Sequence, residues 1–359
     1  MVVHIFPYKI FTKGFIDFTR KKYPIEEHIF IIYGECPNKD FEVLADKNIY
    51  FTKLPTDIVH KQKYRYIVNN AKQIIFHTYN IFVTKLLLRR PLWLKKTYIV
   101  FWGFDIYCYS ERAVGIKKRI WRSIQYWQIR NARALCVLAD KEKQILDSLI
   151  PNIRGAKMRA KYLMTTDKAK LVKLINYNKN TKPYKILVGN SASKSNCHME
   201  ILNKLSVFAD KNILVYCPMS YGDSVYREQI TNLGKKLFGQ KFITLTEIMP
   251  YEDYYKFTND CIIGLYNNDR QQAMGNITMM LEQGGKVFMR RDTPMWSKFE
   301  KQGYIFYDIA DVGKLDWEEF IDFSKENKIN NTRVSVEVNS LDATKEIWDK
   351  IYEHADLGN

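Results

Sequence analysis

Short apolar runs recur along this chain, each separated from the next by a stretch long enough for a helix. In the second half they fall at Lys185–Gly189, Asn212–Cys217, Phe242–Thr246, Cys261–Tyr266, Lys286–Met289 and Tyr304–Tyr307. Between them, His198–Phe208, Tyr226–Phe238, Tyr251–Thr258 and Ile277–Gln283 space their apolar residues three and four apart, the helical period. Continuous apolar strands alternating with helices predict a parallel sheet covered on both faces. The first half repeats the pattern, with strands at Val2–Phe6, His28–Tyr33, Gln73–His77, Thr97–Trp102 and Ala134–Leu138 and helices such as Asp57–Asn70 and Arg112–Arg130. The fold class predicted is α/β, with two Rossmann-like domains facing across a cleft, since 359 residues exceed one ordinary core. The boundaries read as a first domain over residues 1–164, a polar linker over 165–183 and a second domain over 184–339. A last helix within 340–359 aligns Leu341, Ile347, Trp348, Ile351 and Tyr352 on one face. It packs either back across the cleft or on the second domain.

Charge changes this picture. The net +17 is confined to one half: residues 1–180 hold 34 Lys and Arg against 14 Asp and Glu, whereas residues 181–359 hold 22 against 25. A basic half implies an anionic partner. The basic residues concentrate in Lys85–Lys96 and Ile116–Arg133, where Arg89, Arg90, Lys117, Lys118, Arg119 and Arg122 are interleaved with Trp93, Trp121, Leu and Ile. That mixture suits an anionic bilayer, with charges on the headgroups and apolar side chains in the interface. No helix-turn-helix, RNA-binding or zinc-finger signature accompanies it, so nucleic acid is not the expected partner. No apolar run approaches the roughly 20 residues of a membrane span, and Val2–Phe6 is too brief for a signal-peptide core. A cytoplasmic protein, peripheral on the membrane, is expected. The six cysteines form no CxxC pair and read as reduced; no metal site is expected.

Candidate chemistry lies at strand ends. The loop Gly189-Asn190-Ser191 follows the first strand of the second half, without the GxGxxG of a nicotinamide site. Arg270-Gln271-Gln272-Ala273-Met274-Gly275-Asn276 precedes an apolar helix, where backbone N–H groups and the helix dipole suit a diphosphate and Arg270 adds a forked donor. Glu282, further along, is a carboxylate for ribose or sugar hydroxyls or simply a surface residue. In the first half, His77 and Asp105 each close a strand. Either suits the general base that activates an acceptor hydroxyl, although alone His77 reads as a core histidine and Asp105 as a helix cap.

Several of these pieces resemble the family-56 bacterial glycosyltransferases, the TDP-N-acetylfucosamine:lipid II transferases of enterobacterial common antigen synthesis. They are Val188-Gly189-Asn190-Ser191, Ser195-Asn196 with His198, Pro218-Met219 with Tyr221, Tyr254, Gly264, Arg270-Gln271-Gln272 with Gly275, and Arg291, Pro294 and Trp296. Phe76-His77 with Asn80 and Trp102-Gly103 with Asp105 and Tyr107 extend the match over roughly residues 73–296. The resemblance implies a GT-B fold and transfer of a sugar from a nucleotide-diphosphate donor to an undecaprenyl-diphosphate-linked oligosaccharide, without a metal cofactor. Gly189, Asn190, Ser191, Tyr254, Arg270, Gln271, Gln272, Gly275, Asn276 and Glu282 would face the donor, and Asp105 or His77 the acceptor. Glu282 stands where the family usually has Gln, and Asn276 where it has Thr, so the donor sugar stays open. A polysaccharide pyruvyltransferase of similar fold, using phosphoenolpyruvate, is the alternative enzyme. A basic nucleic-acid-binding protein is the alternative that is not an enzyme.

Overall fold

The computed structural model describes residues 1–34, 46–111, 113–163 and 182–357. Apart from Lys182 and Pro183, the predicted linker lies outside the described residues, as do Cys36 and Arg112, the first residue of a predicted helix. The chain forms two compact units, one of residues 1–166 with 340–359 and one of residues 167–339.

In the first unit seven parallel strands lie in the order β3-β2-β1-β4-β5-β6-β7. They are β1 (Val2–Pro7), β2 (His28–Tyr33), β3 (Ile49–Thr52), β4 (Gln73–Phe76), β5 (Thr97–Val100), β6 (Ala134–Val137) and β7 (Ala156–Arg159). The apolar runs are continuous because both faces are buried. Ile74, Phe76, Ile99, Leu135 and Val137 enter one core, while Ile75, Tyr98, Val100, Ala134 and Cys136 enter the other. The last helix, Leu341–Glu353, belongs to this unit. Trp348 is fully buried against Phe15 and donates its indole N–H to Lys161 O at 2.8 Å.

In the second unit six parallel strands lie in the order β10-β9-β8-β11-β12-β13. They are β8 (Tyr184–Val188), β9 (Ile213–Pro218), β10 (Phe242–Leu245), β11 (Cys261–Tyr266), β12 (Lys286–Met289) and β13 (Tyr307–Asp308). The run predicted as a strand over Tyr304–Tyr307 pairs only at its end, through Tyr307 and Asp308. In both sheets the order reverses between the first and fourth strands. Open α/β sheets bind ligands outside the carboxyl ends of their strands at such a switch point.

Three histidines line up inside the first unit. His4 on β1 lies 3.0 Å from His28 Nδ1 through its Nε2 and 2.9 Å from His77 Nε2 through its Nδ1, and His77 Nδ1 meets the Tyr162 hydroxyl. Neutral imidazoles each donate and accept once, so an uncharged row satisfies every shared contact. Burial pushes all three below the ordinary histidine range, His28 to about 4. An unfolded chain takes protons on these rings near pH 6.5, so their contribution is complete above that pH and is lost as pH falls toward 4. Asp105, whose pKa is raised, acts in the opposite sense. The informative quantity is therefore the difference between wild type and His28→Gln. Urea unfolding at pH 7.5 and 4.5 should show wild type losing about 2 kcal/mol more than the variant; equal losses would contradict the reading.

Candidate active site

At the second switch point β8 ends in Val188, and Gly189 turns with φ +68°. A Cβ there would lie 2.4 Å from His198 Nε2 and 2.9 Å from Asn196 Oδ1, so glycine is required for the backbone to pass. Asn196 is buried beneath the loop. Its Oδ1 accepts from Asn190 N and from Asn268 Nδ2, both at 3.1 Å, and its Nδ2 donates to Ser191 Oγ and Ser193 O, both at 3.2 Å. One carboxamide thereby joins the loop after β8 to the loop after β11. Gln272 makes a second tie, donating to Ser191 Oγ at 2.9 Å and accepting from Ser195 Oγ at 2.6 Å. Asn190 Nδ2 also donates to the hydroxyl of Tyr221, at 2.9 Å.

The orientation of these amides follows from one backbone group. Asn190 N–H only donates, so the atom facing it must be the oxygen of Asn196. Asn268 then presents its Nδ2 to that oxygen and turns its own Oδ1 elsewhere. That Oδ1 is buried without a hydrogen-bond partner, as are Asn190 Oδ1, Asn267 Oδ1, Gln271 Oε1 and His198 Nε2. An unmet buried acceptor costs about 1–3 kcal/mol, and native structures keep few. Four such carboxamide oxygens around one switch point mark a place where a ligand or ordered water supplies the missing donors.

Helix Met274–Glu282 starts immediately beyond this loop, with no side-chain cap and with Ala273 in the left-handed region at φ 58°. A Cβ on Gly275 would meet nothing within 4 Å, so that glycine leaves open space beside the helix start. Among the described residues the side chain of Arg270, half-buried, makes no hydrogen bond or ion pair. Free helix N–H groups beside an unengaged guanidinium suit an anion. Asn276 Nδ2 donates to Tyr254 OH at 3.2 Å, which brings that tyrosine to the first turn.

Glu282 is corrected. It is buried, and its two oxygens accept from Tyr255 OH at 3.1 Å and Ser335 Oγ at 2.8 Å. It braces three helices of the unit rather than standing on the surface.

In the first unit Asp105 follows β5, in the short helix Phe104–Tyr107. Its Oδ1 accepts from Trp102 N at 2.6 Å and its Oδ2 from Tyr79 N at 3.1 Å, joining the loops after β5 and β4. Burial raises its pKa to about 7 although both backbone donors favour the charged form. A carboxylate poised there exchanges protons at neutral pH. His77 is corrected: its ring is fully buried, stacks on Phe6 at 3.5 Å and engages His4 and Tyr162 through its two nitrogens. Strand alternation turns it into the core with His4, and it does not meet Asp105.

The basic surface is also redrawn. Trp93 is core, with Nε1 donating to Asn69 Oδ1 at 2.9 Å. Arg122 is spent on its own unit, donating to Cys108 O, Tyr109 O and Glu111 O and stacking on Tyr109. Arg89, Lys117, Lys118 and Arg119 are exposed, and Arg90 and Trp121 half-buried. Phe104 and Val114, outside the two basic stretches, are 73% and 72% exposed, and Ile116 and Ile120, within the second, are 77% and 55% exposed. No helix of the described residues is long and apolar enough to cross a membrane, and among those residues no group of three His, Cys, Asp or Glu is placed to hold a metal ion.

Two doubly wound parallel sheets, each followed by polar loops at its strand ends, make up the GT-B fold. Solved structures share the arrangement over nearly their whole length. An apo structure of OtsA has TM-score 0.66 at 9% identity and covers 100% of this chain and 99% of its own. A glycosyltransferase from Rickettsia africae ESF-5 has TM-score 0.65 at 13% identity, with the same coverage. An E. coli trehalose-6-phosphate protein bound with UDP-2-fluoro glucose has TM-score 0.67 at 9% identity and 99% of each chain. Identities this low speak to fold alone. The sequence profile of the 4-alpha-L-fucosyltransferase family, glycosyl transferase group 56, matches residues 21–322, and the chain belongs to that family. It is a glycosyltransferase.

Proposed function

We propose that the second unit binds a nucleotide-diphosphate sugar at the β8/β11 switch point. The acceptor is an undecaprenyl-diphosphate-linked oligosaccharide, held by the first unit at the inner face of the cytoplasmic membrane. The reaction moves N-acetylfucosamine or a related hexose during bacterial surface polysaccharide synthesis. The observation that carries the donor half is the set of four unpartnered buried carboxamide oxygens in the loops leading to an uncapped helix, with the unengaged Arg270 in the preceding loop. Sugar and ribose hydroxyls supply donors to the former, and the diphosphate fits the latter. The acceptor half is supported by exposed Ile116 and Ile120 interleaved with Lys117, Lys118 and Arg119, a combination suited to anionic lipid.

In this reading an acceptor hydroxyl oxygen attacks the anomeric carbon, and the bond from that carbon to the diphosphate oxygen breaks. Asp105 takes the hydroxyl proton. Arg270 and the helix N-terminus hold the charge of the departing diphosphate, so that step needs no resident metal.

A thermal-shift panel of UDP-, TDP- and GDP-sugars tests the donor half. A ligand at 100 times its Kd stabilises the folded state by about 2.7 kcal/mol, and Arg270→Ala should lose most of that shift. Stabilisation by phosphoenolpyruvate with none from any nucleotide sugar would favour the pyruvyl-transfer alternative and sink this one.

A further inference from the structure

The connection from β5 to β6 carries a hollow that Asp105 does not line. It is an open concavity of about 660 Å³, within the size range of small-ligand pockets. Tyr109, Glu111, Arg119, Arg122, Ser123 and Tyr126 line it, with Val114 and Gly115 at its lip. The wall is built rather than incidental. Tyr109 and Tyr126 pack with ring centroids 5.6 Å apart, and each carries a guanidinium, Arg122 at 4.7 Å and Arg130 at 5.5 Å. Arg122 is held further by three carbonyls of residues 108–111, Nη2 reaching Cys108 O at 3.1 Å. Arg119 differs. It shares the helix face of Ser123 and Tyr126, is exposed, and its guanidinium has no hydrogen bond or ion pair among the described residues. Beside the hollow, Val114, Ile116 and Ile120 stand largely exposed.

A phosphate group, sugar hydroxyls and an alkyl chain on one ligand would use all three features. We propose that this hollow receives the phosphorylated head of the lipid-linked acceptor: Arg119 pairs with its phosphate, Glu111 and Ser123 meet sugar hydroxyls, and the chain leaves over Val114, Ile116 and Ile120. The proposal rests on the reading that the acceptor is a lipid diphosphate. Tyr109 in the wall of the hollow lies four residues beyond Asp105 in the same connection. Glu111 fits this division, since a carboxylate accepts from hydroxyls and repels phosphate, which directs the anion to Arg119.

The experiment measures steady-state transfer to an undecaprenyl-diphosphate-linked sugar in neutral phosphatidylcholine vesicles, for wild type, Arg119→Gln, Arg119→Lys and Ser123→Trp. Arg119→Gln should raise the acceptor KM about ten-fold, the loss of one charge-assisted contact, with the donor KM unchanged. Arg119→Lys should recover part of the loss. Ser123→Trp, which fills the hollow while keeping the charge, should also raise the acceptor KM. Unchanged acceptor KM in both Arg119→Gln and Ser123→Trp overturns the proposal while leaving the lipid-diphosphate reading intact. A defect of Arg119→Gln that appears only when anionic phospholipid is added assigns the arginine to bulk headgroups and also overturns it. Wild type that ignores the lipid-diphosphate acceptor defeats the underlying reading instead.

Discussion

Asp105→Asn is expected to lower sugar transfer by about 10²–10⁴-fold, the usual contribution of a positioned general base. The carboxylate is the one ionisable group on the β4 and β5 loops whose pKa, about 7, suits proton transfer at neutral pH. An amide of the same shape keeps one acceptor for Trp102 N but turns N–H groups toward Tyr79 N, so the β4 loop loses an anchor as well. The pH profile separates chemistry from loop damage. Wild-type kcat/KM should climb as pH rises through about 7 and then level off, because the base works only when ionised. The residual activity of the variant should lack that limb. A variant that transfers at close to the wild-type rate, or a wild-type profile flat across neutrality, would remove Asp105 as the base. The same ionisation opposes stability. With its pKa raised by burial, Asp105 contributes most below the unfolded value, and that contribution is lost as pH rises through about 7.

Gly189→Ala should be the most damaging small change in the second unit. The new methyl would fall 2.4 Å from His198 Nε2 and 2.9 Å from Asn196 Oδ1, at a backbone angle that disfavours any side chain. His198 has little freedom to yield, being buried with Nδ1 and N both 3.3 Å from Tyr226 OH. Displacing Asn196 instead would release Asn190 N, Asn268 and Ser191 together. Overpacking and left-handed strain together predict a loss of about 2–4 kcal/mol in urea unfolding. Affinity for the nucleotide sugar should fall about a hundred-fold where the folded variant is measured, since the loop that shapes the site can no longer close on Asn196. Donor binding within two-fold of wild type would show that the Gly189 turn does not shape the donor site.

Much of this architecture is legible in the pattern of apolar runs, because strands buried on both faces leave unbroken hydrophobic segments. Two strands escape that reading. Both are edge strands: Ile49–Thr52 is half-buried at Tyr50 and Phe51, and Ala156–Arg159 carries Lys157 and Arg159 with all four residues half-buried. At the site, Gly189 and Arg270 stand out because a glycine at a strand end and an arginine before a helix have few packing reasons. Asn196 stands out only through the family resemblance, and Asn268 not at all. Their importance comes from meeting each other across 72 positions, and the visible trace is only a pair of asparagines after an apolar strand. His77 and Glu282 were misplaced for a related reason. A lone polar residue beside apolar neighbours points outward or inward according to which partners wait inside, and those partners, His4 and Tyr162 or Tyr255 and Ser335, lie far away in sequence. Trp93 shows the converse. A tryptophan among basic residues resembles an interfacial anchor, yet the 3₁₀ turn Pro91–Lys96 rotates it into the core.

We propose that this family-56 glycosyltransferase moves a sugar from a nucleotide-diphosphate donor to a diphosphate-linked lipid acceptor. Release of nucleoside diphosphate tests it most directly, measured with the purified protein, a panel of nucleotide sugars and an undecaprenyl-diphosphate-linked sugar in vesicles. Release should require both substrates and be matched one for one by a lipid product heavier by one sugar residue. Release that proceeds equally without the lipid, or no turnover with any nucleotide sugar while phosphoenolpyruvate is consumed, would contradict it.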